Sequence, residues 1–135
     1  MKLYTEISCY RYAKLSDEIK KSFNKSTFAV TDLFDRFLNL EIKGVRKIRL
    51  ELATESNLLN IYLPESISPV CHIHKTFDFD YYFAQSKPER RKIILETLYS
   101  AIEALCNKAG YDLTPFTVAY QKVKELNYKK QLHTW

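Results

Sequence analysis

Hydrophobic and polar residues alternate over several segments in the first two thirds of the chain, a pattern typical of half-buried β-strands. In residues 47–52, apolar side chains occupy every second position and charged side chains lie between them. Residues 2–12, 59–63 and 70–83 show the same period of two. Because short polar turns separate the later segments, we predict an antiparallel β-meander of about four to five strands.

Helical periods dominate the last third of the chain. Ser86 lies three residues before Glu89, which is the spacing of a capping box, and Pro88 suits the first turn of a helix. An apolar stripe then runs as far as Gly110, a residue type that commonly ends helices. A second helix is predicted to begin around Thr114.

The N-terminal third gives a weaker pattern. Ser16, followed by two acidic residues, favours the start of a short helix. Residues 28–43 fit a strand period and a helical stripe equally well, and we expect a short helix near residues 32–38 that runs into a strand. The predicted fold is therefore α+β: a meander packed against two C-terminal helices, with a short N-terminal helix. Residues 1–135 are expected to form a single domain.

The amino-acid composition excludes several classes of function. With two glycines in 135 residues, the chain cannot form the glycine-rich loops that bind nucleotide phosphates. The three cysteines lie in apolar segments, which predicts buried, reduced thiols that are neither disulfides nor nucleophiles. The N-terminus lacks an apolar signal segment, and no apolar run reaches the ~20 residues of a membrane span. We therefore expect a cytoplasmic protein without a cofactor.

The predicted strand over residues 70–83 carries the main candidates for chemistry. Its even positions include His72, His74, Asp78 and Asp80, which place two imidazoles and two carboxylates on one face. Such a set suggests a metal site, and with it a metal-dependent hydrolase. Alternate residues on a strand are ~6.6 Å apart, however, so one ion cannot bind all four side chains unless the strand bends. We therefore predict a solvated face without a metal, on which only His72 and His74 could converge.

Basic residues are concentrated towards the C-terminus. The net charge of the chain is +5, and residues 87–135 carry nine basic and five acidic side chains. Four cations lie in the first turns of the first C-terminal helix: Lys87, Arg90, Arg91 and Lys92. Beside the free N–H groups of a helix start, they would suit an anion or an acidic partner.

A second basic group is interleaved with tyrosines. It comprises Lys122, Lys124, Lys129 and Lys130 together with Tyr120 and Tyr128. Cations among aromatic rings are the composition of a nucleic-acid-binding surface. A nucleic-acid-binding module is therefore the alternative function, although 16 acidic residues are spread through the chain.

Residues 77–128 resemble immunity proteins of bacterial polymorphic toxin systems, which include the partners of contact-dependent growth-inhibition toxins. The resemblance lies in a strand meander followed by FDFDYYF, by the capped helix ILETLYSAIEALCNKAGYD and by the shorter helix FTVAYQKVKELNY. It implies a non-enzymatic cytoplasmic protein that binds and blocks a cognate toxin domain, and it carries over no catalytic residue. The positive net charge departs from the acidic character that is common among immunity proteins against nucleases.

The predicted partner-binding surface lies where the strand period changes to the helical period. It consists of Asp78, Asp80, Tyr82, Arg90 and Arg91. An acidic strand face beside a basic helix start is a charge pattern suited to recognition, and Tyr and Arg are frequent anchors of protein interfaces. We therefore predict an inhibitory binding protein that has no catalytic residue.

Overall fold

The computed structural model describes residues 2–10 and 12–126. These residues form an α+β fold, as predicted, with four strands and four helices. In chain order the elements are β1 (Tyr4–Cys9), α1 (Asp17–Leu38), β2 (Lys47–Ala53), β3 (Leu59–Tyr62), β4 (Val70–Thr76), α2 (Phe79–Phe83), α3 (Lys87–Ala109) and α4 (Thr114–Glu125).

The strands form one mixed sheet in the order β1-β2-β4-β3. β1 pairs with β2, and β2 with β4, in parallel, whereas β3 and β4 are antiparallel. The predicted antiparallel meander is therefore wrong. The physical reason is α1, because a helix between two strands carries the chain back to the end of the sheet from which it started, and β2 then lies parallel to β1.

α1 is much longer than the short N-terminal helix that we predicted. It has 22 residues, begins after Ser16, whose hydroxyl accepts a hydrogen bond from the Ile19 N–H, and ends at Asn39, where φ is +26°. The ambiguous segment 28–43 is thus helical as far as Leu38. The reason is a stripe of buried side chains that packs α1 against β1 and α4: Phe23, Thr27, Val30, Thr31, Leu33, Phe34 and Leu38.

β4 ends at Thr76, so the predicted continuous strand over residues 70–83 is also wrong. The Asp78 carboxylate accepts a hydrogen bond of 3.0 Å from the Tyr81 N–H and caps α2. This turn brings the aromatic residues after β4 onto Phe23 of α1. The ring centroid of Phe23 lies 5.0–5.5 Å from those of Phe77, Phe79 and Tyr82. The contacts among these rings, with Phe79 and Tyr82 buried, stabilise the turn.

The two C-terminal helices lie where the sequence predicts them. Ser86 caps α3 by accepting a hydrogen bond from the Glu89 N–H, and Gly110 ends the helix with φ at +78°. A left-handed backbone of this kind favours glycine, because it has no Cβ. α3 contacts β4, and α4 packs against α1 and α3.

The helices cover one face of the sheet only. On that face Ile48, Leu50 and Leu52 of β2 and Cys71 and Ile73 of β4 are all fully buried. The intervening residues of β1, β2 and β4 point to the other face, and they are partly buried or exposed. The fold is therefore two-layered in its described part, with one face of the sheet free of helices.

α1 also protects the outer edge of β1. The Asp35 carboxylate accepts hydrogen bonds from the N–H and the hydroxyl of Thr5 at 3.0 and 2.8 Å. The Asn24 side-chain oxygen accepts another from the Cys9 N–H at 2.9 Å. Because these side chains occupy backbone groups that a further strand could pair with, they oppose edge-to-edge association.

The ionisation of Asp35 couples this edge to pH. Burial raises the pKa of Asp35 from 3.8 to about 6, although the hydrogen bonds from Thr5 favour the charged carboxylate. The folded chain therefore holds a proton that the unfolded chain releases between these pH values. The stability that this proton contributes is complete below the unfolded pKa and is lost as the pH rises towards about 6.

The substitution Asp35→Asn keeps an oxygen acceptor for Thr5 and removes the titration. As the pH rises from about 4 to about 6, we expect the native chain to lose about 1–2 kcal/mol of unfolding free energy relative to the Asp35→Asn variant. This figure allows for the partial exposure of the Asp35 side chain. Urea unfolding at a series of pH values measures this difference. Glu103→Gln, on the exposed face of α3, controls for the loss of a carboxylate. The prediction would be contradicted if the native chain became more stable relative to Asp35→Asn as the pH rises.

Candidate functional site

The face of the sheet without helices, which we call the open face, gathers charged and aromatic side chains from all four strands. These residues occupy alternate strand positions, because their sequence neighbours fill the core on the opposite side. The open face consists of Tyr4, Glu6, Ser8, Lys47, Arg49, Glu51, Asn60, Tyr62, His72 and His74, with Tyr10 and Tyr12 just beyond β1.

Glu51, His72 and His74 meet at the centre of the open face. The strand register places Glu51 of β2 beside His74 of β4, and His72 lies two positions earlier in β4. Glu51 Oε1 lies 3.3 Å from His72 Nδ1 and 3.5 Å from His74 Nε2. The side chains of Glu51, His74 and His72 are 17%, 21% and 32% exposed, so solvent reaches this cluster. One carboxylate therefore lies within reach of two imidazoles.

Two tyrosine rings contact His74. The ring centroid of His74 lies 4.9 Å from that of Tyr10 and 5.2 Å from that of Tyr62. Tyr12 packs edge-on against Tyr10 at 5.4 Å. Tyr62 and Tyr12 are 49% and 65% exposed, so both present large parts of their rings to solvent. Such rings offer apolar contact area and a polar hydroxyl at a low cost in rotamer entropy.

The charges of the open face balance one another. Glu6 accepts a hydrogen bond of 2.8 Å from Arg49 Nε and lies 3.4 Å from Lys47 Nζ. Lys47 Nζ also lies 5.1 Å from the centroid of the Tyr4 ring. With Glu51 included, two cations face two carboxylates, so the open face has no net charge when its histidines are neutral.

The predicted acidic pair does not join the histidines. Asp78 caps α2, and Asp80 lies in the first turn of that helix, beyond the end of β4. Within the described part of the chain, the side chains close enough to share a metal ion are Glu51, His72 and His74. Neither aspartate belongs to this group. The less favoured alternative, a hydrolase site made of His72, His74, Asp78 and Asp80, therefore lacks its two aspartates in the structure, and the acidic neighbour of the histidines is Glu51.

Two of the predicted partner-binding residues have structural roles instead. Tyr82 is 1% exposed, and its hydroxyl shares a hydrogen bond of 2.7 Å with the hydroxyl of Ser26. Arg90 donates hydrogen bonds to the backbone oxygens of Tyr82 and Phe83 at 3.2 and 2.6 Å, and its guanidinium lies over both rings. Tyr82 is therefore not a contact residue, and Arg90 holds the C-terminal end of α2.

Arg91 lies in a cationic hollow between α1 and α3. Lys25, Lys87, Arg90 and Arg91 line this hollow together with Ser22 and Ser26, and its volume is about 450 Å³. The basic start of α3 therefore converges with a lysine of α1 that the sequence pattern did not connect to it. None of the lining residues is acidic, so the hollow attracts anions.

The predicted nucleic-acid surface lacks one of its aromatic platforms. Tyr120 is 9% exposed, stacks on Tyr99 with ring centroids 4.3 Å apart and donates a hydrogen bond to Glu96. Its ring is therefore not free to stack on a base. Of the other members of this group, Lys122 and Lys124 lie on α4, whereas Tyr128, Lys129 and Lys130 lie outside the described residues.

The three cysteines are buried and free, as predicted. Burial raises the pKa of the Cys9, Cys71 and Cys106 thiols to about 11 in each case. At neutral pH these thiols are protonated, so they are neither nucleophiles nor thiolate ligands.

Sequence reasoning missed Glu51 and the two tyrosines that contact His74. The period of two did place Glu51 on the polar side of its strand. Only the strand order, in which β2 lies between β1 and β4, brings that side chain beside His74. The available signal was that β2 and β4 both alternate and carry complementary polar residues. The pairing of these two strands could not be derived from either strand alone.

No protein-family model, curated protein or solved structure matches this chain. Across residues 2–10 and 12–126, no helix is both long enough and apolar enough to span a membrane.

The role of Arg90 gives a direct prediction. Arg90→Gln removes the charged donor from two backbone oxygens, and we expect a loss of about 1–3 kcal/mol in the free energy of unfolding. Arg90→Lys should recover only part of this loss, because one ammonium does not reproduce the planar guanidinium. Arg91→Gln is the matched control, with an expected change within about 0.5 kcal/mol. Urea unfolding measures all three, and equal losses for Arg90→Gln and Arg91→Gln would contradict the assigned role.

Proposed function

We propose that this chain is a non-enzymatic immunity protein that binds a cognate bacterial toxin domain in the cytoplasm and neutralises it through the open face. The observation that carries the proposal is a sheet face without helices that combines exposed tyrosines around His74 with paired charges. The resemblance of residues 77–128 to immunity proteins supports the class of function. The open face supplies the surface that such a function needs.

The open face has the properties of a protein-binding surface. All of its side chains except those of Tyr10 and Tyr12 stand on paired β-strands, so binding orders little backbone that was previously free. Tyr12 and Tyr62 supply exposed aromatic area, and the cores of protein interfaces are enriched in such residues. The hydrogen-bonded charges of Glu6 and Arg49 are already paired, which reduces the cost of covering them.

The charge of the open face argues against nucleic acid at this site. Binding to a phosphate backbone requires cations that release counterions from the nucleic acid. Lys47 and Arg49 are instead engaged with Glu6, and Glu51 adds a second negative charge. We therefore assign the open face to a protein partner.

The cationic hollow favours a second candidate function, the binding of an anionic partner such as nucleic acid. Lys25, Lys87 and Arg91 converge there without an acidic residue in the lining. This arrangement is the specific observation behind the alternative. It concerns the α1–α3 side of the molecule, so the two functions can be tested with separate variants.

The first test uses the toxin domain that the proposal expects to be encoded beside the gene for this chain. We expect the native chain to co-purify with that domain and to restore the growth of cells that express it. The double variant Tyr12→Ala/Tyr62→Ala should weaken binding by at least about 30-fold, since interface tyrosines that act as anchors each contribute about 2 kcal/mol. Calorimetric titration measures the dissociation constant.

Matched controls remove aromatic rings of similar exposure elsewhere. Tyr81, on α2, is 58% exposed, and Phe28, on α1, is 67% exposed. Tyr81→Ala and Phe28→Ala should leave the affinity unchanged. A larger loss for Tyr81→Ala or Asp80→Lys than for the double variant would place the interface beside α2 and would refute the open face. Failure of the neighbouring toxin domain to bind the native chain would refute the immunity function.

The second candidate function has its own test. Under the proposed function, we expect a 20-nucleotide oligonucleotide to bind the native chain with a dissociation constant no tighter than about 100 µM at physiological salt. Fluorescence anisotropy over a series of salt concentrations measures this affinity. Tight binding that weakens steeply with salt, and that Lys25→Glu/Arg91→Glu abolishes, would favour nucleic acid over the toxin domain.

A further inference from the structure

We propose that Glu51, His72 and His74 bind one divalent transition-metal ion of the Zn²⁺ class on the open face. This inference goes beyond the immunity function and does not depend on it, because it rests on the ligand geometry of three side chains. It also differs from the metal site suggested by the sequence, which would have used Asp78 and Asp80.

The distances within the cluster fit a tetrahedral ion. Metal–ligand bonds of about 2.0–2.1 Å at tetrahedral angles place neighbouring ligand atoms about 3.3–3.4 Å apart. Glu51 Oε1 lies 3.3 Å from His72 Nδ1 and 3.5 Å from His74 Nε2. All three ligand atoms lie within 4.8 Å of one another, so small rotations of the imidazoles complete the site.

The strands explain how residues two positions apart on a strand can share one ion. His72 and His74 have backbones separated by ~6.6 Å, a distance that their side chains must bridge to reach one ion. His72 turns its Nδ1 and His74 turns its Nε2 towards the same oxygen of Glu51. The two side chains thereby bridge the distance between their backbones. Glu51 comes from the neighbouring strand in direct register with His74. The site is thus built on two paired central strands, which hold ligands better than loops.

The surroundings of the cluster suit a cation. Glu51 supplies one negative charge and the imidazoles supply neutral donors, so the ligand set offsets half the charge of a divalent ion. Arg49, which lies opposite His72 in the adjacent strand, is held by Glu6 at 2.8 Å, and this pairing reduces its repulsion of a bound metal. The rings of Tyr10 and Tyr62 contact His74 and restrict its orientation.

The donor set also selects the class of metal. Two imidazoles and one carboxylate suit Zn²⁺, Co²⁺, Ni²⁺ or Fe²⁺, whereas Mg²⁺ and Ca²⁺ prefer all-oxygen sites. Three protein ligands leave at least one coordination position open. The partial exposure of all three side chains places that position towards solvent, where water or a partner side chain can complete the coordination.

The test uses the untagged full chain after treatment with a chelator, titrated separately with Zn²⁺, Co²⁺ and Mg²⁺ in a calorimeter. We expect one equivalent of Zn²⁺ and of Co²⁺ to bind with micromolar or tighter affinity, and Mg²⁺ not to bind measurably. His72→Gln, His74→Gln and Glu51→Gln should each weaken Zn²⁺ binding by at least about 10-fold. The ligand-field absorption of bound Co²⁺ should indicate nitrogen and oxygen ligands without thiolate.

The chain contains a matched control, because His133 is its one remaining histidine. His133→Gln should leave the Zn²⁺ affinity unchanged. Circular dichroism checks that each variant is folded. If a histidine variant does not fold, Glu51→Gln, which preserves the size of the side chain, provides the test. The proposal is refuted if the native chain binds no Zn²⁺, if His133→Gln weakens binding as much as His72→Gln, or if folded His72→Gln/His74→Gln still binds one equivalent. If the ligand variants lose Zn²⁺ binding but keep the toxin affinity of the native chain, metal binding and toxin binding are separate functions and both proposals are supported.

Discussion

The structure depends on one constraint, the period-two alternation of β2 and β4 at the centre of the sheet. Their apolar positions, from Ile48 to Leu52 and from Cys71 to Ile73, are fully buried under the helices. Burial of this surface is the main favourable contribution to folding. The alternate positions must then point the other way, because side chains on a strand change face at every residue. The open face, with Glu51, is therefore a direct geometric consequence of how the core is formed.

The sequence allowed much of this to be predicted, and the failures have physical causes. The strand over residues 47–53 and both C-terminal helices were predictable because period, caps and the Gly110 stop agree. α1 was underestimated because Asn, Ser and Thr interrupt its stripe, and tertiary packing around Phe23 overrides their low helix propensity. Strand order was out of reach, because alternation shows which face a residue occupies but not which strand lies beside it.

The same limits apply to the site. His72 and His74 were identified as candidates, but their acidic partner was assigned to residues further along the same strand. The chain turns at Asp78, and the third member comes from β2, so the cluster exists only in the folded sheet. Arg90 and Tyr82 suggested an interface by residue type, yet they stabilise the aromatic turn around Phe23. Residue type alone does not distinguish an anchor of the core from an anchor of an interface.

The central claim, that the open face is the functional surface, is tested most directly by side-chain NMR of the chain as the toxin domain proposed as its partner is added. Imidazole resonances of His72 and His74 and the ring resonances of Tyr62 report on the open face, and the ring resonances of Tyr81 report on α2. Our account predicts that the first three shift on binding and that those of Tyr81 do not. Shifts of Tyr81 together with residues around Asp80 and Arg91, without change at the histidines, would contradict it.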